Sequence, residues 1–79
     1  MSHTPHDLAE EFPAEAARIA ELKEGDAHFS KLVEEYNQVN QAVYRAENRI
    51  DTVSEEHEEA LRRQRARLKD SLWAIIRKA

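Results

Sequence analysis

The sequence predicts an all-α protein: a long antiparallel helical hairpin, in effect a two-helix coiled coil, preceded by a short N-terminal helix. Three observations predict it. Glycine occurs once, proline twice and cysteine not at all, while 35% of the residues are charged, a composition of long helices rather than of β-domains. From Phe29 onward, apolar or small side chains recur at alternating steps of three and four: Phe29, Leu32, Tyr36, Val39, Val43, Ala46, Ile50 and Val53. That is a heptad seam held over several repeats. Finally, a second apolar stripe follows after only the polar cluster around Asp51, Thr52 and Ser54, and so short a connection forces two neighbouring helices to run antiparallel.

The chain reads as a single domain over residues 1–79, in segments 1–25, 26–53 and 54–79. In the first, Pro13 suits the opening position of a helix, where its missing N–H costs nothing, and "PAEAARIAELK" reads as a short helix ended by Gly25. Asp26 is placed to cap the long helix that follows. In the third segment Ser54 is the expected N-cap, and "EEHEE" sets negative charge at the positive end of the helix dipole. Its seam is expected to run through Leu61, Gln64, Leu68, Leu72 (or Ser71) and Ile75. One constant register then pairs Ile50 with Leu61, Val43 with Leu68, Val39 with Leu72 and Tyr36 with Ile75. It also sets Asn40 beside Ser71 at the seam's edge, although a solvated Asn40 is the simpler expectation.

The densest apolar run, "SLWAII" (Ser71 to Ile76), contains the single tryptophan. Its apolar side chains spread around most of the helix circumference, more than one seam can cover. The N-terminal segment carries Leu8, Phe12, Ile19 and Leu22 and is tethered near this open end, so it is the expected lid. A helix so rich in alanine covers little area. Self-covering is therefore expected to be incomplete, with a weak homo-oligomer finishing it.

The stretches "HDLAEEFP" (His6 to Pro13), "IAELKEGDAHFSKLVEEYNQVNQAVYRAE" (Ile19 to Glu47) and "LKDSLWAII" (Leu68 to Ile76) resemble the YdcH-like bacterial proteins, a small family of unknown function. The resemblance rests on the order of its pieces: "FP", "LK", "DAHF", then "L…EY…N", and a late "LKD" before an apolar turn. It implies a short helical hairpin. It implies no activity, cofactor or catalytic residue.

Net charge is −4, with acids leading bases 11 to 5 up to Val53 and bases leading 7 to 5 afterwards, too mild an asymmetry for a surface that binds nucleic acid throughout. No apolar run approaches the roughly 20 residues that span a bilayer. The start "MSHTPHDLAEE" has neither the basic nor the apolar region of a secretory signal, so a cytoplasmic protein away from membranes is expected. Neither a glycine-rich phosphate loop nor a cysteine is present, and no serine stands in a nucleophile's setting; no enzymatic activity, no catalytic residue and no cofactor is expected.

His3, His6 and Asp7 have a spacing that suits zinc or nickel, but such a tail more simply reads as free, and no metal site is assigned. "RRQRARLK" offers Arg62, Arg63, Arg65, Arg67 and Lys69 as candidate phosphate contacts. Helical spacing divides them between two flanks, and Glu58 with Arg62 and Glu59 with Arg63 read as ordinary surface pairs. The expected function is therefore a non-enzymatic protein–protein interaction module, an adaptor or small regulator of unidentified protein partner. Its candidate contacts are Leu8, Phe12, Phe29, Tyr44, Trp73 and Ile76. The alternative is a small nucleic-acid-binding regulator using the Arg-rich second helix.

Overall fold

A computed structural model describes residues 6–78 of the 79-residue chain. In chain order the helices are α1 (Leu8–Glu11), α2 (Ala16–Gly25), α3 (Ala27–Glu47) and α4 (Glu55–Lys78), with a 3-10 turn at Pro13–Glu15 between the first two. The fold is all-α, and α3 and α4 pack together as a helical hairpin. Arg62 reaches Glu47 beside the connection, whereas Phe29 and Ile76 share a cluster at the other end. The two helices therefore run antiparallel.

Local polar chemistry sets the helix ends. The Asp26 carboxylate accepts the Phe29 N–H at 3.1 Å, the expected N-cap of α3, while the Asp26 N–H donates to the Leu22 carbonyl at 2.9 Å and closes α2. One residue thus serves two helices. Gly25 departs from expectation: it lies inside α2 with no left-handed φ, because Asp26 in an extended conformation makes the turn instead. Pro13 opens a 3-10 turn rather than the α-helix, which starts at Ala16. Ser54 caps α4 as expected, its Oγ accepting the His57 N–H at 3.1 Å.

The first long helix was expected to reach residue 53, and it stops at Glu47. Arg49 takes a left-handed φ of 59°, Asn48 donates its side-chain N–H to the Tyr44 carbonyl at 2.8 Å, and Arg45 forks onto Asp51 at 2.9 and 3.0 Å. The Asn48 bond and the backbone N–H groups of Arg49 and Ile50, which donate to the Ala46 and Arg45 carbonyls, satisfy the helix's last carbonyls, and the Arg45–Asp51 fork ties down the chain that turns away. The expected pairing of Ile50 with Leu61 is lost, because Ile50 leaves the helix and is 53% exposed.

The buried face of α3 is wider than a two-position seam. Phe29, Tyr36, Val39, Val43 and Ala46 are buried as the heptads require, Leu32 is half-buried, and Val33 and Asn40 form an additional buried column. On α4 the stripe passes through Leu61, Arg65, Leu68, Leu72 and Ile76. Gln64 and Ser71 are exposed, a correction to the expected seam. Arg65 instead donates to the Asn40 side-chain oxygen at 3.1 Å, so Asn40 is buried and paired with an arginine rather than with Ser71 or solvent.

Why "SLWAII" stands at the open end of the hairpin is now plain. Leu8 and Ile19 join Phe29, Val33, Tyr36, Leu72 and Ile76 in one buried cluster, with Phe12, Leu22 and Trp73 packed against it. Burying each large side chain contributes about 1.5 to 3 kcal/mol, a large share in a domain of marginal stability. Among the described residues Ile50 is the exposed large hydrophobic; Ile76 is covered within the chain, whereas Trp73 stays only partly buried.

Candidate functional site

Residues 6–15 form a strap across the open end of the hairpin, fastened by three kinds of chemistry. The Tyr36 hydroxyl donates to the backbone carbonyl of His6 at 2.6 Å. Lys69 Nζ donates to Glu11 Oε1 at 2.8 Å, with His6 Nδ1 3.5 Å from the same oxygen. The Phe12 ring stacks on Trp73 with centroids 4.9 Å apart and planes 7° from parallel, and Lys69 Nζ stands 5.8 Å from the Phe12 ring centre. Beneath them Leu8 is 3% exposed.

The electrostatics follow the geometry. Glu11 is held below the usual carboxyl range chiefly by its hydrogen bond from Lys69, which outweighs the opposing effect of burial. Burial, with the Glu11 and Asp7 charges adding to it and Arg65 opposing, pushes the Tyr36 phenol up to about 12. Both groups are thus kept in the ionisation state that their strap contact needs.

On the outer side of the same helix, Asp70, Trp73, Ala74, Arg77 and Lys78 line an open groove of about 340 Å3. Trp73 belongs to both places. The groove combines an aromatic, two cations and a carboxylate, and its lining holds no serine, threonine, cysteine or histidine.

Leu8, Phe12, Phe29, Trp73 and Ile76 come together, as one cluster. Yet Leu8, Phe29 and Ile76 are core residues with at most 3% exposure, which removes them as surface contacts: the strap and hairpin bury them against each other. Phe12 and Trp73 are half-buried, and Tyr44 is half-buried on α3, outside that cluster.

The basic run is mostly engaged. Arg62 pairs with Glu58 and with Glu47, Arg63 with Glu59, Arg65 with Asn40 and Lys69 with Glu11; Arg67 is exposed. His3 lies outside the described residues. Among the described residues no three His, Cys, Asp or Glu side chains are grouped to hold a metal ion, and no helix is long and apolar enough to cross a membrane.

Sequence reasoning missed Glu11 and Tyr36 as strap fasteners and assigned Lys69 to phosphate. A signal was present: Lys69 and Trp73 stand four apart on one helix face, and consecutive Glu11 and Phe12 on the strap offer them a charge for the charge and a ring for the ring. The groove residues Asp70, Ala74 and Arg77 carry the same four- and three-residue spacing but no charge pattern that separates them from an ordinary solvated face.

Compared with known proteins, residues 29–76 match the model of a family described as a protein of unknown function (DUF465). No curated protein and no solved structure matches the chain. The matched stretch spans the hairpin from the start of its core to Ile76 and leaves "HDLAEEFP" outside.

Proposed function

Since the chain belongs to the DUF465 family, whose description states no activity, we propose a function from the surface itself: a non-enzymatic, cytoplasmic protein-interaction module that acts as an adaptor or small regulator. The observation that carries this reading is the groove along α4. Trp73 and Arg77 are the residue types that concentrate binding energy in protein interfaces, and here they line one groove with Asp70, Ala74 and Lys78. A partner segment presenting an apolar side chain with a carboxylate beside it fits that lining. Four of the five basic candidates on α4 already hold a carboxylate or amide, which favours a protein over a nucleic acid as partner.

The test is capture from a native lysate of the source organism by the full chain, set beside Ala74→Arg and Arg77→Glu. Both positions are exposed, so the variants should fold and melt within about 0.5 kcal/mol of the parent. A protein retained by the parent and lost by both variants is the expected result. Recovery of nucleic acid instead, abolished by changing Arg62, Arg63 and Arg65 to Glu, overturns it.

A further inference from the structure

The strap shows, within one molecule, what the open end of the hairpin recognises. We propose that this end is a peptide-binding socket for a partner segment of the form Leu-x-x-Glu-Phe, and that the chain's own residues 8–12 are its built-in competitor. The inference rests on the interaction-module reading but uses a surface that shares only Trp73 with the groove.

Each wall of the socket reads a separate feature of the peptide. The Phe29, Val33, Tyr36, Leu72 and Ile76 cluster takes the leucine, which is 3% exposed there. Lys69 takes the glutamate at 2.8 Å, and the face of Trp73 takes the phenylalanine at a centroid distance of 4.9 Å. The Tyr36 hydroxyl binds the main chain two residues before the leucine, at the His6 carbonyl, and so adds grip without demanding a side chain. Acid followed directly by aromatic is read by one cation and one ring four residues apart on α4, with Lys69 touching both.

Two observations make the strap exchangeable. Its helix α1 is only four residues long, and it gives the core one fully enclosed side chain, Leu8; Glu11 and Lys69 keep 23% and 38% side-chain exposure. Furthermore, the walls named above, Lys69 and Trp73 all lie within the matched residues 29–76, and the strap lies wholly outside them. Tethered in this way, the strap competes at an effective concentration on the order of mM, so a partner segment must bind well or the strap must first be loosened.

The experiment uses the full chain with Leu8→Ser and Phe12→Ser, and as probe a labelled synthetic peptide with the sequence of residues 6–15, read by fluorescence anisotropy. The loosened chain should bind the peptide at least about tenfold more tightly than the parent, in which the strap competes. Adding Lys69→Glu should abolish binding, and a peptide with lysine in place of its Glu11 should restore it. Equal affinity of parent and loosened chains, or failure of the charge-swapped pair, overturns the proposal. If the double variant loses its helical circular dichroism, Glu11→Ala alone supplies the loosened chain and the same comparison applies. Dimers of the loosened chain without peptide binding would give the socket to a second copy and also overturn it. The groove residues Asp70, Ala74, Arg77 and Lys78 play no part in this assay, so a failure here leaves the interaction reading standing, and a failed lysate capture leaves the socket measurable.

Discussion

Tyr36 has no exposed surface, and its hydroxyl meets the His6 carbonyl at 2.6 Å. Its phenol is pushed up to about 12 from an ordinary 10.0, so folding favours the neutral form. The stability tied to that preference is full below pH 10 and is lost as pH rises toward 12. Glu11 has the opposite sign: its carboxyl lies below the ordinary value, so its contribution is full above that value and is lost as pH falls through the lowered one. Tyr36→Phe is expected to cost about 1 kcal/mol at neutral pH and to flatten the alkaline loss, as denaturant titrations at several pH values would show; an unchanged alkaline slope would remove Tyr36 as its cause. The apolar half of this site was legible. Leu8, Phe12 and Ile19 are surplus to any seam, and "SLWAII" needs a cover. Its polar half was not, because a hydroxyl meeting a backbone carbonyl 30 positions away leaves no mark in residue types.

Among the elements, α2 and α3 meet at a corner whose single linking residue is Asp26, and the neighbouring glycine is not used for its freedom. A Cβ added at Gly25 would have nothing within 4 Å, and its φ is not in the left-handed region. Gly25→Ala should therefore stabilise the protein by about 0.5 to 1 kcal/mol, and Asp26→Ala should destabilise it by about 1 kcal/mol through the lost cap. Thermal melts of the two variants should move in opposite directions; a destabilising Gly25→Ala would mean that the corner needs a glycine after all. The existence and order of the helices were readable from breakers and periodicity, as were the caps Asp26 and Ser54. The end of α3 was not. Ile50 and Val53 prolong the heptad pattern in the sequence, but the Arg45–Asp51 fork and the Asn48 bond to Tyr44 are side-chain closures that a period count does not register.

The molecule as a whole is only 20 Å along its shortest axis, and its stability rests on a narrow core with Phe29, Tyr36, Val43 and Leu72 as its fully enclosed large side chains. Val43→Asp places an unpaired charge at 0% exposure and should cost upward of about 4 kcal/mol, enough to unfold a domain of this size. Leu68 is only half-buried, so Leu68→Asp should cost less and leave a cooperative transition; equal melting of both variants with the parent would contradict this core. The hairpin closes over short separations, with Arg62 and Glu47 15 positions apart, whereas Lys69 and Glu11 are 58 apart. Contacts of short separation form first, and long loops close later. A ribosome adds residues at roughly 5 to 20 per second, so Leu8 and Phe12 leave it seconds before Lys69 and Trp73 exist. Throughout that interval the strap is a short apolar segment with nothing to close upon, and its docking must wait until the second long helix has been made and is free to fold.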